Sequence, residues 1–212
     1  MPQSRRIIHD VTRPVFTGHP VWPGDTPCDV RWTGRIADGD EVNKSAISCS
    51  VHTGTHADGP YHVLDDGVRI GDAPLENFLG SAHLLDVEGL ESIDAGWLAA
   101  HLPPDAERVL FRTGCWGDPS VFPTRFPAPT PDAARLLVER GIRLIGTDAP
   151  SVDPFDSPDL PTHHIVLRAG MGILENLLLE GIPAGAYDLI ALPLRFVDAD
   201  SSPVRAILLE TP

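Results

Sequence analysis

Residues 50–62 read S-V-H-T-G-T-H-A-D-G-P-Y-H and constrain the fold more than any other segment. The segment holds four potential metal ligands, His52, His56, Asp58 and His62. Imidazole nitrogen and carboxylate oxygen together suit a borderline divalent cation such as zinc or manganese. A surface loop would explain one histidine, but it explains this spacing of three poorly. The segment therefore predicts the metal site of a hydrolase.

The geometry of these ligands requires the chain to turn. A straight strand rises about 3.3 Å per residue, so it would separate His52 from Asp58 by roughly 20 Å, whereas metal bonds to nitrogen or oxygen are about 2 Å long. Gly54 and the Gly59-Pro60 pair supply turn residues. A helical turn over 52–56 would also bring His52 and His56 together. The spacing leaves a helical turn and a kinked loop both open.

The composition bounds the class of protein. A chain of 212 residues with 42% hydrophobic residues is large enough for one domain, taken here as 1–212. Acidic residues number 30 and basic residues 16, with no basic patch, which argues against a nucleic-acid partner. No apolar run reaches the length of a signal peptide or a membrane span, so we expect no membrane partner and a cytoplasmic location. The three cysteines lack paired spacing and are predicted to be free thiols.

Short apolar segments alternate with capped helical segments along the chain, which predicts an α/β domain with a mixed β-sheet flanked by helices. The predicted strands cover 7–12, 29–36, 42–51, 82–87, 108–113, 144–147, 188–196 and 204–210. The predicted helices cover 73–79, which Gly80 would end, then a segment capped by Ser92 or Asp94 that runs to 101, and 130–141.

Two segments rich in proline and glycine are predicted to be loops. The first, 15–27, contains Trp22, which could form a flat wall for an aromatic ligand or fill the edge of the core. The second, 114–129, is long for a compact domain, so we expect it to line a pocket or a subunit contact.

A second cluster of potential ligands lies at 162–181, which reads T-H-H-I-V-L-R-A-G-M-G-I-L-E-N-L-L-L-E-G. Its apolar residues at 173, 174, 177 and 178 have helical spacing, which predicts a helix. Glu175 interrupts this apolar run and would be costly to bury unless a cation held it. We therefore predict that Glu175, with His163 or His164, completes the site begun by residues 52–58. For Asp148 and Asp153, which follow a predicted strand, helix capping or turn formation is preferred over a functional role.

Four motifs together resemble a known family. H-T-G-T-H-A-D-G-P-Y-H at 52–62 fits the pattern H-x-G-T-H-x-D-x-P-x-H of the cyclase-like metal-dependent hydrolases. W-P-G-D-T-P at 22–27, G-T-D-A-P-S-V-D at 146–153, and H-H-I-V-L with I-L-E-N-L at 163–177 follow the order found in that family. Within it, the chain resembles the bacterial kynurenine formamidases. The resemblance implies a cyclase-like fold of the swivelling β/β/α type.

The resemblance also implies a homodimer with two divalent metal ions per subunit, zinc by preference and manganese as the alternative. On this chain it assigns His52, His56 and Asp58 to the first metal. It assigns Asp58 and His163 to the second, with Glu175 in contact with both. His163 is preferred over His164 because it lies twelve residues before Glu175. His62 would be the acid/base residue, and Trp22 would line the substrate pocket.

The implied reaction is hydrolysis of a small molecule, N-formyl-L-kynurenine, to L-kynurenine and formate. No G-x-S-x-G motif is present, which argues against a serine nucleophile for the same reaction. An alternative within the same chemistry is hydrolysis of a related cyclic amide such as isatin. An alternative of another class is a metal-binding or regulatory protein without turnover, which would have a closed coordination sphere.

Overall fold

The computed structural model describes residues 7–210 and has eleven strands and three α-helices within that range. The strands are β1 Ile8–Asp10, β2 Asp29–Gly34, β3 Lys44–Ser48, β4 His56–Asp58, β5 Leu79–Asp86, β6 Arg108–Arg112, β7 Leu144–Thr147, β8 Gly172–Glu175, β9 Gly185–Ile190, β10 Ser201–Pro203 and β11 Ile207–Glu210. The helices are α1 Ala95–His101, α2 Pro131–Glu139 and α3 Pro161–Arg168.

Nine of the strands form one mixed sheet in the order β1-β11-β9-β5-β6-β7-β8-β4-β10. The pairs β5–β6, β6–β7 and β7–β8 are parallel, and the other pairs are antiparallel. Each parallel pair is connected through one of the three helices, as parallel neighbours require a crossover. The predicted α/β class with a mixed sheet is confirmed.

The sheet is buried on both faces. The helices cover one face, where Leu98, Leu137 and Val166 belong to one apolar cluster with Phe111 and Ile145 of the central strands. The other face lines a second cluster. Its members come from both ends of the strand order as well as from the centre, and they include Val11, Ala57, Leu84, Leu110, Leu174, Leu189 and Leu208. These two clusters hold the central strands in fixed register and thereby fix the residues at the strand ends.

The caps of two helices follow the sequence prediction. The Asp94 carboxylate accepts a hydrogen bond of 2.8 Å from the Trp97 N–H at the start of α1. The Thr130 hydroxyl accepts one from the Ala133 N–H at 3.3 Å, with Pro131 in the first turn of α2. Both caps satisfy N–H groups that a helix N-terminus otherwise leaves without an acceptor.

Two predicted helices were wrong. Residues 73–79 contain a 3₁₀ turn at Leu75–Asn77, and Gly80 lies within β5 instead of ending a helix. Residues 172–175 form β8, whose four residues are all buried. An apolar run at 173–174 is compatible with a strand buried on both faces as well as with a helix. The sheet accommodates this segment as a strand. The helix of this region is α3, and β10 was not predicted as a separate strand.

β2 and β3 form a separate two-stranded ribbon that is not hydrogen-bonded to the nine-stranded sheet. The predicted strands at 29–36 and 42–51 are therefore confirmed as strands, although they do not extend the main sheet. Three apolar side chains share one face of the ribbon, because Val30 pairs with Ile47 and Trp32 lies two residues from Val30. Their exposed fractions are 40% for Val30, 54% for Trp32 and 64% for Ile47.

The structure tests the expectation of free thiols but leaves the expected cellular location as a prediction. Cys28, Cys49 and Cys115 are free thiols, as predicted. Among residues 7–210, no helix has the length and apolar content needed to cross a membrane. Residues 1–6 lie outside the described residues. The cytoplasmic location stays a prediction.

Candidate metal centre

The first motif enters the sheet through a kinked loop. Residues 51–55 form turns and bends, and Gly54 has a φ of +66°, a left-handed conformation that glycine adopts without steric cost. This settles the alternative in favour of a kinked loop over a helical turn. The chain then enters β4, with His56 and Asp58 at its two ends. His62 follows in a 3₁₀ turn at Pro60–His62.

β4 brings the two halves of the sequence together, because it lies between β8 and β10. In the antiparallel register His56 pairs with Glu175 across β8, and Asp58 pairs with Ser201 across β10. Residues directly opposite each other in such a pair have side chains about 5 Å apart. Strand pairing therefore sets the distance between the first motif and Glu175.

The side chains of the first motif converge on the Asp58 carboxylate. His52 Nδ1 lies 3.2 Å and His56 Nε2 lies 3.5 Å from Asp58 Oδ1. His56 Nε2 also lies 3.4 Å from Glu175 Oε2. Asp58 and His56 are each 1% exposed, and Glu175 is 4% exposed. The prediction that Glu175 is held in the interior, and not at the surface, is therefore met by the structure.

α3 supplies the remaining predicted ligand. His163 Nε2 lies 3.3 Å from Glu175 Oε1 and 3.8 Å from Asp58 Oδ2. His163 is buried, whereas the adjacent His164 is half-buried and is absent from this cluster. The structure thus places His163, as preferred from the sequence, beside the two carboxylates.

Both imidazoles that face Glu175 are oriented through their other nitrogen. His56 Nδ1 is 2.8 Å from the Gly54 carbonyl oxygen, and His163 Nδ1 is 2.7 Å from Asp153 Oδ2. In each case Nε2 is the nitrogen left to face the carboxylates. This arrangement is typical of histidine ligands, whose second nitrogen is usually hydrogen-bonded to a carboxylate or carbonyl group.

Asp153 combines two tasks. Its carboxylate accepts hydrogen bonds from the Thr162 and His163 N–H groups at the start of α3, at 2.9 and 3.0 Å. The same carboxylate contacts the His163 ring. The expectation of a capping role is therefore met, but it was incomplete, because Asp153 also orients His163. Asp148 likewise accepts from the Thr113 and Gly114 N–H groups, away from the cluster.

In the absence of a cation, hydrogen bonds and neighbouring charges within the cluster shift the pKa values of its members. Burial lowers the pKa of His163, but hydrogen bonds to Asp153 and Glu175 outweigh burial and raise it to about 10. Burial raises the pKa of Asp58, and the charges of neighbouring imidazoles, led by His56, bring it well below its ordinary value. Protonated imidazoles thus compensate the buried carboxylates. Divalent cations binding to the same atoms would displace these protons.

Two buried atoms of the cluster have no hydrogen-bond partner among residues 7–210. These atoms are His56 Nε2 and Asp58 Oδ2, each of which faces the centre of the cluster. Buried polar atoms normally have partners, and a missing ion is one accepted explanation. Potential ligand atoms of His52, His56 and Asp58 lie within 4.8 Å of one another, and so do those of Asp58, His62 and His163. The residues therefore fit divalent cations that share Asp58.

A cavity of about 490 Å³ opens beside the cluster and is lined by Trp22, His62, His163 and Glu175 among others. The Trp22 ring lies 5.0 Å from the Phe155 ring and 5.6 Å from the Phe122 ring, between centroids. The structure thus favours a wall for an aromatic ligand over a plug of the core. Phe122 belongs to the segment 114–129, for which a pocket-lining role was expected.

Asp200 is the polar residue of the site that the sequence did not indicate. Its Oδ2 lies 2.8 Å from His52 Nε2 and 3.0 Å from His62 Nδ1. Ser201 follows it and donates a hydrogen bond of 2.8 Å from Oγ to Asp58 Oδ1. Asp200 lies in the short polar stretch D-A-D-S-S-P, where an aspartate is ordinary, so no sequence signal separated it from a loop residue.

The chain is similar in sequence and in fold to known proteins. The sequence profile of a family described as "Putative cyclase" matches residues 9–154. The kynurenine formamidase of Bacillus cereus is 41% identical over 199 residues, which cover 94% of this chain and 95% of that protein. A solved structure described as a potential metal-dependent hydrolase with cyclase activity matches with a TM-score of 0.85 at 30% identity, over 98% of this chain and 100% of that chain. Isatin hydrolase A from Labrenzia aggregata matches with a TM-score of 0.83 at 29% identity, over 98% of this chain and 94% of that chain.

Proposed function

The chain belongs to the Cyclase family, and from that premise we propose that it is a metal-dependent arylformamidase that converts N-formyl-L-kynurenine to L-kynurenine and formate. The observation that carries the proposal is the meeting of His56, Asp58, His163 and Glu175 in one buried cluster beside a cavity lined by aromatic rings. The full-length similarity to a kynurenine formamidase supports the choice of substrate.

Two divalent ions would be held in this cluster, zinc by preference and manganese as the alternative, since both accept imidazole and carboxylate ligands. His52, His56 and Asp58 would hold the first ion, and Asp58 and His163 the second, with Glu175 in contact with both. Support comes from the two unpartnered atoms, His56 Nε2 and Asp58 Oδ2. When bound, such ions supply Lewis acidity and lower the pKa of water toward neutrality.

His62 would move the proton that the reaction requires. Cleavage of a formamide releases an amine whose nitrogen must gain a proton, and imidazole titrates in the range suited to this transfer. His62 lies in the cavity wall, and Asp200 holds its Nδ1, so Nε2 would be the nitrogen that exchanges the proton. His62 would take a proton from water at Nε2 and deliver it to the departing aniline nitrogen.

The aromatic rings beside the cluster would hold the benzene ring of the substrate. Trp22 and Phe155 meet at an interplanar angle of 35°, and the Phe122 ring stands nearly perpendicular to Trp22. An aniline ring packed on this wall would gain apolar burial and favourable ring contacts. This wall would place the formamide group toward His62 and Glu175, which line the same cavity.

A second candidate reaction, hydrolysis of isatin, has one observation in its favour, the structural match to isatin hydrolase A. Isatin also carries a fused benzene ring that the Trp22 wall could accept. The higher identity to the formamidase favours the first reaction. Assays of N-formyl-L-kynurenine and isatin on the same metal-loaded protein separate the two.

The test of the proposed function combines metal analysis with kinetics. Protein purified without added metal is analysed for bound ions, and kcat and KM are then measured for both substrates. We expect formamide hydrolysis that is lost in chelator and restored by zinc or manganese. His62→Ala should lower kcat by about 10²–10⁴-fold, the usual contribution of a general acid or base, while the metal content stays unchanged. A metal-loaded protein without activity on either substrate would refute the proposal, and metal loss in His62→Ala would make His62 a ligand.

We further propose that the protein is a homodimer in which the ribbon of β2 and β3 contacts a second copy. A two-stranded ribbon is marginally stable alone, and Val30, Trp32 and Ile47 form an exposed apolar face on it. Sedimentation equilibrium should give twice the chain mass for the wild type. The double variant Trp32→Glu/Ile47→Glu should sediment as a monomer, and the control Leu75→Glu, in an exposed 3₁₀ turn outside the ribbon, should not. A monomeric wild type would show the proposal to be wrong.

A further inference from the structure

Asp200 is held beside the candidate metal centre by the backbone of the sheet. It directly precedes β10, whose first residue, Ser201, pairs with Asp58 of β4. The Asp200 carbonyl oxygen also accepts a hydrogen bond of 2.9 Å from the Gly59 N–H. These contacts fix the Asp200 backbone on the C-terminal side of its Cα. Its position relative to residues 56–62 is therefore set by strand pairing and not by a free loop.

One carboxylate oxygen of Asp200 contacts two imidazoles. Oδ2 lies 3.0 Å from His62 Nδ1 and 2.8 Å from His52 Nε2, and Ser201 Oγ lies 3.4 Å away. An ionised carboxylate accepts hydrogen bonds but cannot donate them, so the His62 nitrogen that faces it carries the proton. Neutral His62 is thereby held in the Nδ1–H tautomer, with its Nε2 lone pair available. The same contact fixes the rotation of the ring.

A role for Asp200 as a metal ligand is less well supported. Its Oδ2, His52 and His62 do lie close enough to share an ion. However, Oδ2 already has two imidazole partners, whereas the two buried atoms of the cluster without a partner belong to His56 and Asp58. Vacant ligand atoms therefore lie on the Asp58 side of the cluster.

We infer that Asp200 is a positioning residue that holds His62 in the ring orientation and tautomer required for proton transfer. The inference rests on the proposed function, since it assumes that His62 moves a proton. It predicts that Asp200 contributes to turnover through His62 alone. The contact with His52 Nε2 holds a proposed metal ligand, so kcat is compared at full metal occupancy in every variant.

A double-mutant cycle tests this dependence. The metal-loaded wild type, Asp200→Asn, His62→Ala and the double variant are compared by kcat, KM and metal content. Asp200→Asn should lower kcat by about 10–100-fold, less than the roughly 10²–10⁴-fold that a general acid or base itself contributes, with KM changed by less than about twofold. In the His62→Ala background the same substitution should change kcat by less than about twofold. Asp198→Asn removes a charge from an exposed position two residues away and should match the wild type.

Two results would overturn the inference. One is an equal fold-loss from Asp200→Asn in both backgrounds, and the other is loss of bound metal in Asp200→Asn, which would place its action at His52. A nitrogen-15 NMR spectrum of the metal-loaded protein gives a readout that does not need activity. It should show the Nδ1–H tautomer of His62 in the wild type and a mixture in Asp200→Ala. If the wild type were inactive on the formamide but showed this change, the positioning role would stand and the proposed reaction would fail. An unchanged tautomer would end the inference.

Discussion

Replacement of Asp153 by asparagine should weaken both the fold and metal binding. Asp153 is 1% exposed and accepts three hydrogen bonds, from the Thr162 N–H, the His163 N–H and the His163 ring at 2.9, 3.0 and 2.7 Å. Asparagine has the same shape but one acceptor oxygen, so at least one buried donor loses its partner. Such a loss costs about 1–3 kcal/mol, and the remaining bonds lose the strength that the charge gave them. We expect the free energy of unfolding to fall by about 2–4 kcal/mol.

The effect on metal binding follows from the His163 ring. Without the Asp153 carboxylate, the ring is no longer held with Nε2 toward Glu175, so the affinity for a divalent ion should fall by about 10–100-fold. Urea unfolding of the metal-free protein measures the first effect, and competition with a chelating dye measures the second. Asp159→Asn is the control, since Asp159 is an exposed carboxylate just before α3. A change in unfolding free energy below about 0.5 kcal/mol, together with wild-type affinity, would refute the reasoning.

Three further predictions concern the same region. Gly54→Ala should destabilise the protein by about 1–3 kcal/mol in urea unfolding, because φ is +66° and the new Cβ would lie 2.6 Å from Val15 Cγ2. The control Gly39→Ala has a positive φ but open space around the new Cβ, so its loss of unfolding free energy should be smaller, and equal losses would contradict the steric reason. Asn176 has a φ of +56°, so Asn176→Ala should lower the unfolding free energy by about 1–2 kcal/mol and Asn176→Gly by much less. Equal losses would show that stability depends on contacts of the Asn176 side chain and not on the backbone conformation. The pKa of His163 is raised to about 10 from 6.5. The stabilisation that its proton gives the metal-free protein is therefore complete below about pH 6.5 and is lost as the pH rises through 10. Urea unfolding in chelator should show this fall in unfolding free energy, and a profile that does not change with pH would contradict it.

Local patterns predicted much of the fold. The cap of α2 was predicted at Thr130, and the cap of α1 was predicted at Ser92 or Asp94, of which the structure has Asp94. The strand β7 was predicted at its observed bounds, Leu144–Thr147, because it is short, buried and bounded by turn residues. The assignment failed at β8, where residues 173–178 fit a helical period as well as a strand. Burial on both faces by tertiary packing made this segment a strand, and local sequence patterns do not reveal such burial.

The candidate site was also predictable only in part from the sequence. Its first half was visible from spacing, since His52, His56 and Asp58 lie within seven residues. The meeting with Glu175 depends on pairing between β4 and β8, which are far apart in the chain. It was expected because Glu175 interrupts an apolar run and because the motifs resemble a family. Asp200 was missed because its role comes from the pairing of β4 with β10.

The position of β4 between β8 and β10 also has a consequence for biosynthesis. Asp58 and Ser201, which are hydrogen-bonded in the finished sheet, are 143 residues apart in the chain. At about 5–20 residues per second, a ribosome needs roughly 7–30 s to make the second after the first. For most of that interval neither β8 nor β10, which flank β4, has been made. The nascent chain therefore cannot complete the cluster of imidazoles and carboxylates until β8 and Glu175 have left the exit tunnel.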